Sequence, residues 1–231
     1  MKLLIIDNNI DLDSWGAEDI RRNIEPLAGM PADMTVYLRR APHNDLPSEP
    51  TLFDFIIISG SKTSALDDAP WVSDLEDFIR RAIDAKKRLL GICYGHQVIA
   101  RALGGKRCVR VAPVAEFGWV MVETLKPSDI FNGLPKTFYT FSSHFDEVAV
   151  LPKGMECLAR SEHCQIQAFQ LEGFPVFGIQ FHPERNIDEA NSLFDEIKKT
   201  GTPKLLLNPD KGASLYDPKV RETIFRNFLT L

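Results

Sequence analysis

"LLGICYGHQVIARALGG", Leu89 to Gly105, is the stretch that decides how the chain is built. The apolar run ending at Ile92 reads as a buried strand, and Gln97 to Leu103 repeats apolar side chains at helical spacing. Between them Gly91-Ile92-Cys93-Tyr94-Gly95 leaves no length for a loop, so strand must turn sharply into helix with a cysteine at the corner. A residue on such an elbow has its side chain lifted clear of the sheet, and its neighbours must be small because the backbone crowds itself. Gly91 and Gly95 meet that demand. The amides of the following helix point back at the corner, and the positive end of its dipole favours a thiolate at Cys93. The same amides, Tyr94 N–H first among them, are placed to receive an oxyanion. Free cysteine more often serves as a small buried hydrophobe, which is the reading for Cys108, Cys157 and Cys164, since they lack the glycine bracket.

Outward from the elbow, "KLLIID" (2–7), "MTVYLR" (34–39), "FDFIIISG" (53–60) and "RLLGI" (88–92) read as strands. Helical patterns separate them over 17–29 and 69–87, the second opening with Pro70 and carrying Val72, Leu75, Phe78, Ile79, Ala82 and Ile83 on one face. Such alternation predicts a parallel sheet with helices on both sides. Ligands then bind outside the carboxyl ends of the strands, where "SGSKTSA" (59–65) and "CYGHQ" (93–97) both fall. The second half has another texture. "FGWVMVETL", "TFYTFSSH", "EVAVL", "ECLARS", "CQIQAFQLEG" and "VFGIQFH" read as short strands in close succession, a largely antiparallel continuation of the same sheet. Two helices follow, over 188–200 and 217–231, the latter with Val220, Ile224, Phe225 and Phe228 as its apolar stripe. The turn-rich 201–218 between them and the proline-rich 41–50 are candidate contact loops.

At 231 residues the chain can bury a full core without disulfides, and a net charge of −5 with mixed signs supplies no basic stripe for a nucleic acid. "MKLLIIDNN" lacks the core and cleavage site of a signal peptide, and no segment approaches the roughly 20 apolar residues of a membrane helix. Four cysteines without a C-x-x-C pair give neither a metal site nor a disulfide framework. A cytoplasmic protein without metal or organic cofactor, and without nucleic-acid or membrane partners, is expected.

A thiol nucleophile needs a base, and the candidates are His43, His96, His144, His163 and His182. His182 stands out because "VFGIQFHPE" ends a buried strand. Alternation sends residues i and i+2 to one side, and Pro183 keeps its predecessor extended. Glu184 can therefore take the imidazole N–H while His182 faces the thiol. His43, in the proline-rich loop, reads as exposed. For His96 and Gln97 a solvated first helical turn stays open, and for His144 and Asp146 a turn cap.

With "GICYGHQ" followed by "FHPE", the chain resembles the class I glutamine amidotransferases over residues 1 to about 195, most closely their GMP synthase-like stand-alone members. The resemblance implies an α/β fold: one three-layer domain over 1–231, flavodoxin-like, with a mixed, mainly parallel central sheet, a second half rich in antiparallel strands and a helical extension over about 196–231. It implies Cys93 as nucleophile, His182 as general base and acid, and Glu184 as its orienter. "IISGSKTSALDD" resembles the family's oxyanion loop, which gives Gly60 and Ser61 a share in the oxyanion hole beside Tyr94, although Ser61-Lys62 stands where Gly-Pro is usual. Gln97 resembles a residue lining the substrate pocket. "SSHFDEV" is similar to the segment whose backbone holds the α-groups of glutamine, which implies Ser143, His144 and Phe145. Phe145 replaces a glycine there, and a ring at that place is expected to narrow or reshape the pocket. The activity implied is attack on the γ-amide of glutamine through a γ-glutamyl thioester, with ammonia passed to a synthetase partner chain. A γ-glutamyl peptidase working alone stays open, as does a non-enzymatic redox or binding protein, though the latter needs no histidine with a carboxylate orienter.

Overall fold

In β1 (Lys2–Asp7) the side chains alternate between two cores: Leu3 and Ile5 face one, Leu4 and Ile6 the other. The same period of two governs β3 (Phe55–Ile58), β4 (Arg88–Ile92) and β9 (Val176–Ile179), so these central strands are apolar on both faces. One face is covered by α1 (Gly16–Ile24) and α6 (Pro218–Thr230), through Ile20, Ile24, Val220, Ile224, Phe225 and Phe228. The other is covered by α2 (Pro70–Asp84) and α3 (Tyr94–Gly104), through Val72, Leu75, Phe78, Ile79, Val98 and Ile99. Three layers follow from that alternation. This computed structural model describes residues 1–13, 16–27, 33–200 and 205–231.

The remaining elements are β2 (Thr35–Arg40), β5 (Val109–Thr124), β6 (Thr137–Val148), β7 (Met155–Arg160), β8 (Ala168–Leu171), β10 (Leu206–Leu207), α4 (Ile187–Thr200) and the short α5 (Gly212–Leu215). Among the described residues the strands form one mixed sheet in the order β2-β1-β3-β4-β9-β8-β7-β5-β10, with β6 paired to β5. The β2-β1-β3-β4-β9 half is parallel; β9-β8-β7-β5 and β5-β6 are antiparallel, and β10 returns parallel to β5. A third apolar cluster of Trp119, Phe141, Ala190 and Phe194 seats α4 beside β5 and β6.

Several expectations are corrected. "EVAVL" is not a strand of its own: Glu147 and Val148 finish β6, paired with Arg110 and Val109. β5 begins at Val109, well before "FGWVMVETL", because its partner β6 draws the mixed-polarity stretch into the ladder. Helix α1 stops at Ile24, short of Pro26, whose ring cannot continue a helix; residues 28–29 of the expected helix lie outside the described residues. The loop expected over 201–218 holds β10 and α5, and its residues 201–204 lie outside the described ones. Among the described residues no helix is long and apolar enough to cross a membrane.

Candidate active site

The elbow is built by close packing. A Cβ on Gly91 would stand 2.4 Å from the backbone of Gly95, and one on Gly95 would stand 2.1 Å from the carbonyl oxygen of Ile58. Only glycines let β4, the first turn of α3 and the end of β3 approach this closely. Cys93 caps α3 with φ 52° and ψ −102°, a positive-φ conformation that a residue with a side chain adopts only when its surroundings enforce it. Its backbone N–H donates to Ile179 O at 2.8 Å, keeping the corner in line with β9, and its thiol lies 3.7 Å from Ser143 O.

The chain brings the expected base to that thiol. β9 runs beside β4, and past its end the His182 N–H donates to Phe141 O at 2.7 Å, an isolated bridge to β6 that fixes the backbone. His182 Nδ1 is 2.6 Å from Glu184 Oε1. A carboxylate accepts, so Nδ1 carries the proton and Nε2 is left for the sulfur of Cys93. Burial alone would lower the His182 imidazole. The Glu184 carboxylate and the Cys93 sulfur more than offset it, and the ring is raised to about 10. Burial pushes Glu184 up, yet the His182 charge beside it holds its carboxyl below the usual range. The three groups form one buried chain of contacts. Asn23 Nδ2, on α1, donates to Glu184 O at 3.0 Å and steadies the backbone that carries this carboxylate.

Gly60 lies against both catalytic candidates, since a Cβ there would be 2.9 Å from His182 Cε1 and 3.6 Å from Cys93 Cβ. The loop it belongs to is pinned from the side by residues whose role the sequence did not signal. Asn8 Nδ2 donates to Ser59 O at 2.8 Å, Ser61 Oγ donates to Asn8 O at 2.7 Å, and the Lys62 N–H donates to Asn9 Oδ1 at 3.4 Å. Asp7 holds this arrangement together, accepting from Asn9 and from the Ala17 N–H at the start of α1.

Phe141, Ser143, Gly60, Ser61, His182 and Glu184 line one cleft of about 760 Å³, which extends between the start of α1 and one face of α4. The other sequence-selected residues lie around it. Tyr94 is buried, with its ring against Trp71 and its hydroxyl pushed up by burial. Gln97 and His96 are buried, not a solvated turn, because α3 is covered on all sides. Gln97 Nε2 donates to Asp146 O at 2.7 Å and to Gln180 Oε1 at 3.1 Å, so its amide ties α3 to β6. Burial lowers His96 to about 3 and keeps it neutral. Alternation along β6 turns the His144 side chain to the face opposite Ser143, onto Glu116. Asp146 caps a turn in another segment: its Oδ2 accepts from Ser64 Oγ at 2.5 Å and from the Ala65 N–H at 3.2 Å, within the turn that the Asp67 N–H closes on Ser64 O. Phe145 is 54% exposed, with its ring edge-to-face on Phe117 at 4.9 Å, turned outward rather than across the cleft. His43 is exposed as expected, with Nε2 3.0 Å from Ile10 O. Among the described residues no group of three or more histidine, cysteine or acidic side chains is arranged to hold a metal.

Known proteins share this sequence pattern and this fold. The family model for class-I glutamine amidotransferases matches residues 23–199. A glutamine-hydrolyzing GMP synthase subunit from Thermococcus kodakarensis is 49% identical over 96 residues, which cover 42% of this chain and 50% of that protein. The corresponding GMP synthase subunit from Ignicoccus hospitalis is 36% identical over 152 residues, 66% of this chain and 78% of that one. The chain thus spans about half the length of the first curated relatives it matches. Among solved structures, a glutamine amidotransferase from Thermotoga maritima superposes with a TM-score of 0.76 at 22% identity, covering 99% of this chain and 96% of the other. At that identity the likeness speaks for the fold.

Proposed function

The chain belongs to the class-I glutamine amidotransferase family, and from that premise we propose that it hydrolyses the γ-amide of glutamine with Cys93, His182 and Glu184. The observation that carries the reading is the 2.6 Å bond from His182 Nδ1 to Glu184, which leaves the other ring nitrogen for a cysteine held at a strained elbow. The Cys93 thiolate attacks the γ-carbonyl. Charge on the oxygen meets the Tyr94 N–H and the amides of the Gly60–Ser61 loop, each such donor being worth about 2.7–4 kcal/mol in comparable sites. The His182 imidazolium gives its proton to the departing nitrogen, and ammonia leaves. The neutral ring then takes a proton from water, which attacks the thioester and returns glutamate and the thiol. Backbone of the Ser143–Phe145 segment is the expected grip on the α-amino and α-carboxylate groups, with Gln97 holding that strand against the elbow helix. No step calls on a metal or organic cofactor. The curated relatives are named as single subunits of a GMP synthase, which supports a synthetase partner chain that takes up the ammonia.

A second reading is favoured by the size of the cleft. About 760 Å³ lies within the range of roughly 300–1,000 Å³ that accommodates ligands well larger than one amino acid. A γ-glutamyl compound with a bulkier leaving amine would enter, and the same triad would cleave it. Steady-state release of ammonia from glutamine, run beside cleavage of γ-glutamyl dipeptides, separates the two. Cys93→Ala should abolish whichever activity is present while leaving the fold intact, and full activity in that variant would refute both.

A further inference from the structure

On the face of β6 turned away from the cleft lies a carboxylate that the chemistry above does not use. Glu116 is 1% exposed, follows an irregularity in the β5–β6 register and stands directly opposite His144. A buried carboxylate is costly unless paired and hydrogen-bonded, and here every neighbour donates. Ser161 Oγ reaches Oε1 at 2.6 Å; Gln167 Nε2 at 2.6 Å, His144 Nε2 at 3.2 Å and Ser142 Oγ at 3.5 Å reach Oε2. The other ring nitrogen of His144 is 3.0 Å from the carbonyl oxygen of Asp146. A carbonyl and a carboxylate both only accept, so the ring is held between two acceptors, one at each nitrogen. Burial pushes Glu116 up, but the bonds from His144 and Ser161 outweigh it and keep the carboxyl below its usual range. The two side chains form a closed clamp.

The segment under that clamp reaches His182, Cys93 and the elbow helix. Phe141 O accepts from the His182 N–H at 2.7 Å, and Ser143 O is 3.7 Å from the Cys93 sulfur. Asp146 Oδ2 accepts from Ser64 and Ala65 beyond the oxyanion loop, while its carbonyl takes Gln97 Nε2 from the elbow helix at 2.7 Å. We propose that Glu116 is a positioning residue: acting through the His144 ring, it sets the register and height of the Ser143–His144 backbone from which the α-groups of the substrate are held. The inference rests on the glutaminase reading above and names what gives its substrate strand one fixed position.

Glu116→Gln keeps the size of the side chain but removes the charge that accepts from His144, Gln167 and both serines. Its KM for glutamine should rise about tenfold with kcat little changed, the signature of a lost interaction shared by ground and transition states. Inactivation by the diazoketone analogue of glutamine, which carries the same α-groups, should slow to the same degree. Alkylation of Cys93 by iodoacetamide, which has no α-groups, should run at the wild-type rate. Ser161→Ala removes a single donor to Oε1 and should move the same ratio the same way by a smaller factor, which keeps the test open if the glutamine variant folds poorly. Equal slowing of both reagents would mean that Glu116 only supports the fold, and no change in either would mean that the clamp positions nothing; each result overturns the proposal. A wild-type protein that neither turns over glutamine nor reacts with the diazoketone overturns the functional reading and this inference together.

Discussion

Holding Cys93 at φ 52° and ψ −102° costs about 1–3 kcal/mol, and the glycines on either side of it are what make the posture possible. At this scale the electrostatics can be tested by removing one charge. His182 is raised to about 10 because the Glu184 carboxylate and the Cys93 sulfur outweigh its burial, so the imidazolium proposed to protonate the leaving nitrogen persists across neutral pH and is lost as pH climbs through that value. Glu184→Gln deletes one of the two raising charges. The alkaline limb of the kcat/KM profile should therefore move down from near pH 10 toward the ordinary histidine range, with some activity retained. An unmoved limb would show that the carboxylate does not act on His182. Gly60→Ala places a methyl 2.9 Å from His182 Cε1, and since a misplacement of about 1 Å can cost roughly 100-fold, its glutaminase rate should fall by that order while urea unfolding stays near wild type. The proposed nucleophile, base and orienter are legible in the sequence because each is a short-range signal: a glycine bracket, a proline and a spacing of two. Glu116, Asn8 and Asn9 are not, for each acts on a partner distant in sequence, and a lone Glu in "VAPVAEFGW" carries no local sign of the histidine opposite it.

Elements differ in how much of themselves the sequence reveals. The parallel half is legible because strands apolar on both faces alternate with amphipathic helices, and each pattern excludes the other. β5 is only half legible. "VRVAPVAE" has neither a clean period of two nor a turn signal, and it becomes strand through its pairing with β6. The first turn of α3 is buried where its polar residues suggest solvent, since periodicity marks one apolar face and cannot show that a helix is covered on both; His96 lies against Phe169, with ring centroids 4.5 Å apart. The β3–α3 contact has a direct test. A Cβ on Gly95 would lie 2.1 Å from Ile58 O, a backbone atom that cannot swing aside, so Gly95→Ala should destabilise the protein by about 1–3 kcal/mol or more in urea unfolding. Wild-type stability in that variant would mean that the elbow is not close-packed.

Across the whole molecule the two apolar layers do unequal work. α2 and α3 bury the face beneath the elbow, while α1 and α6 bury the other, so the C-terminal helix is part of the core that carries Cys93. Phe228 is fully buried against Phe55, with ring centroids 5.8 Å apart, and Phe228→Ala should cost about 3–5 kcal/mol of stability, read by denaturant unfolding, although it lies far along the chain from the triad. That helix is legible from its stripe, and its place on the sheet is not, because a stripe says that a face is buried without saying against what. The same holds for Phe145: its position near the cleft follows from the motif, whereas its outward turn onto Phe117 depends on a strand that pairing alone defines. What joins these scales is a thiol carried by the end of β4 to a histidine that lines the cleft. The most direct measurement is mass spectrometry of the acid-quenched protein during turnover of glutamine and of γ-glutamyl peptides. A single γ-glutamyl group on the peptide containing Cys93, absent from Cys93→Ala, is the predicted result; a protein that consumes either substrate while Cys93 stays unmodified, or that acquires no γ-glutamyl group from either, would contradict it.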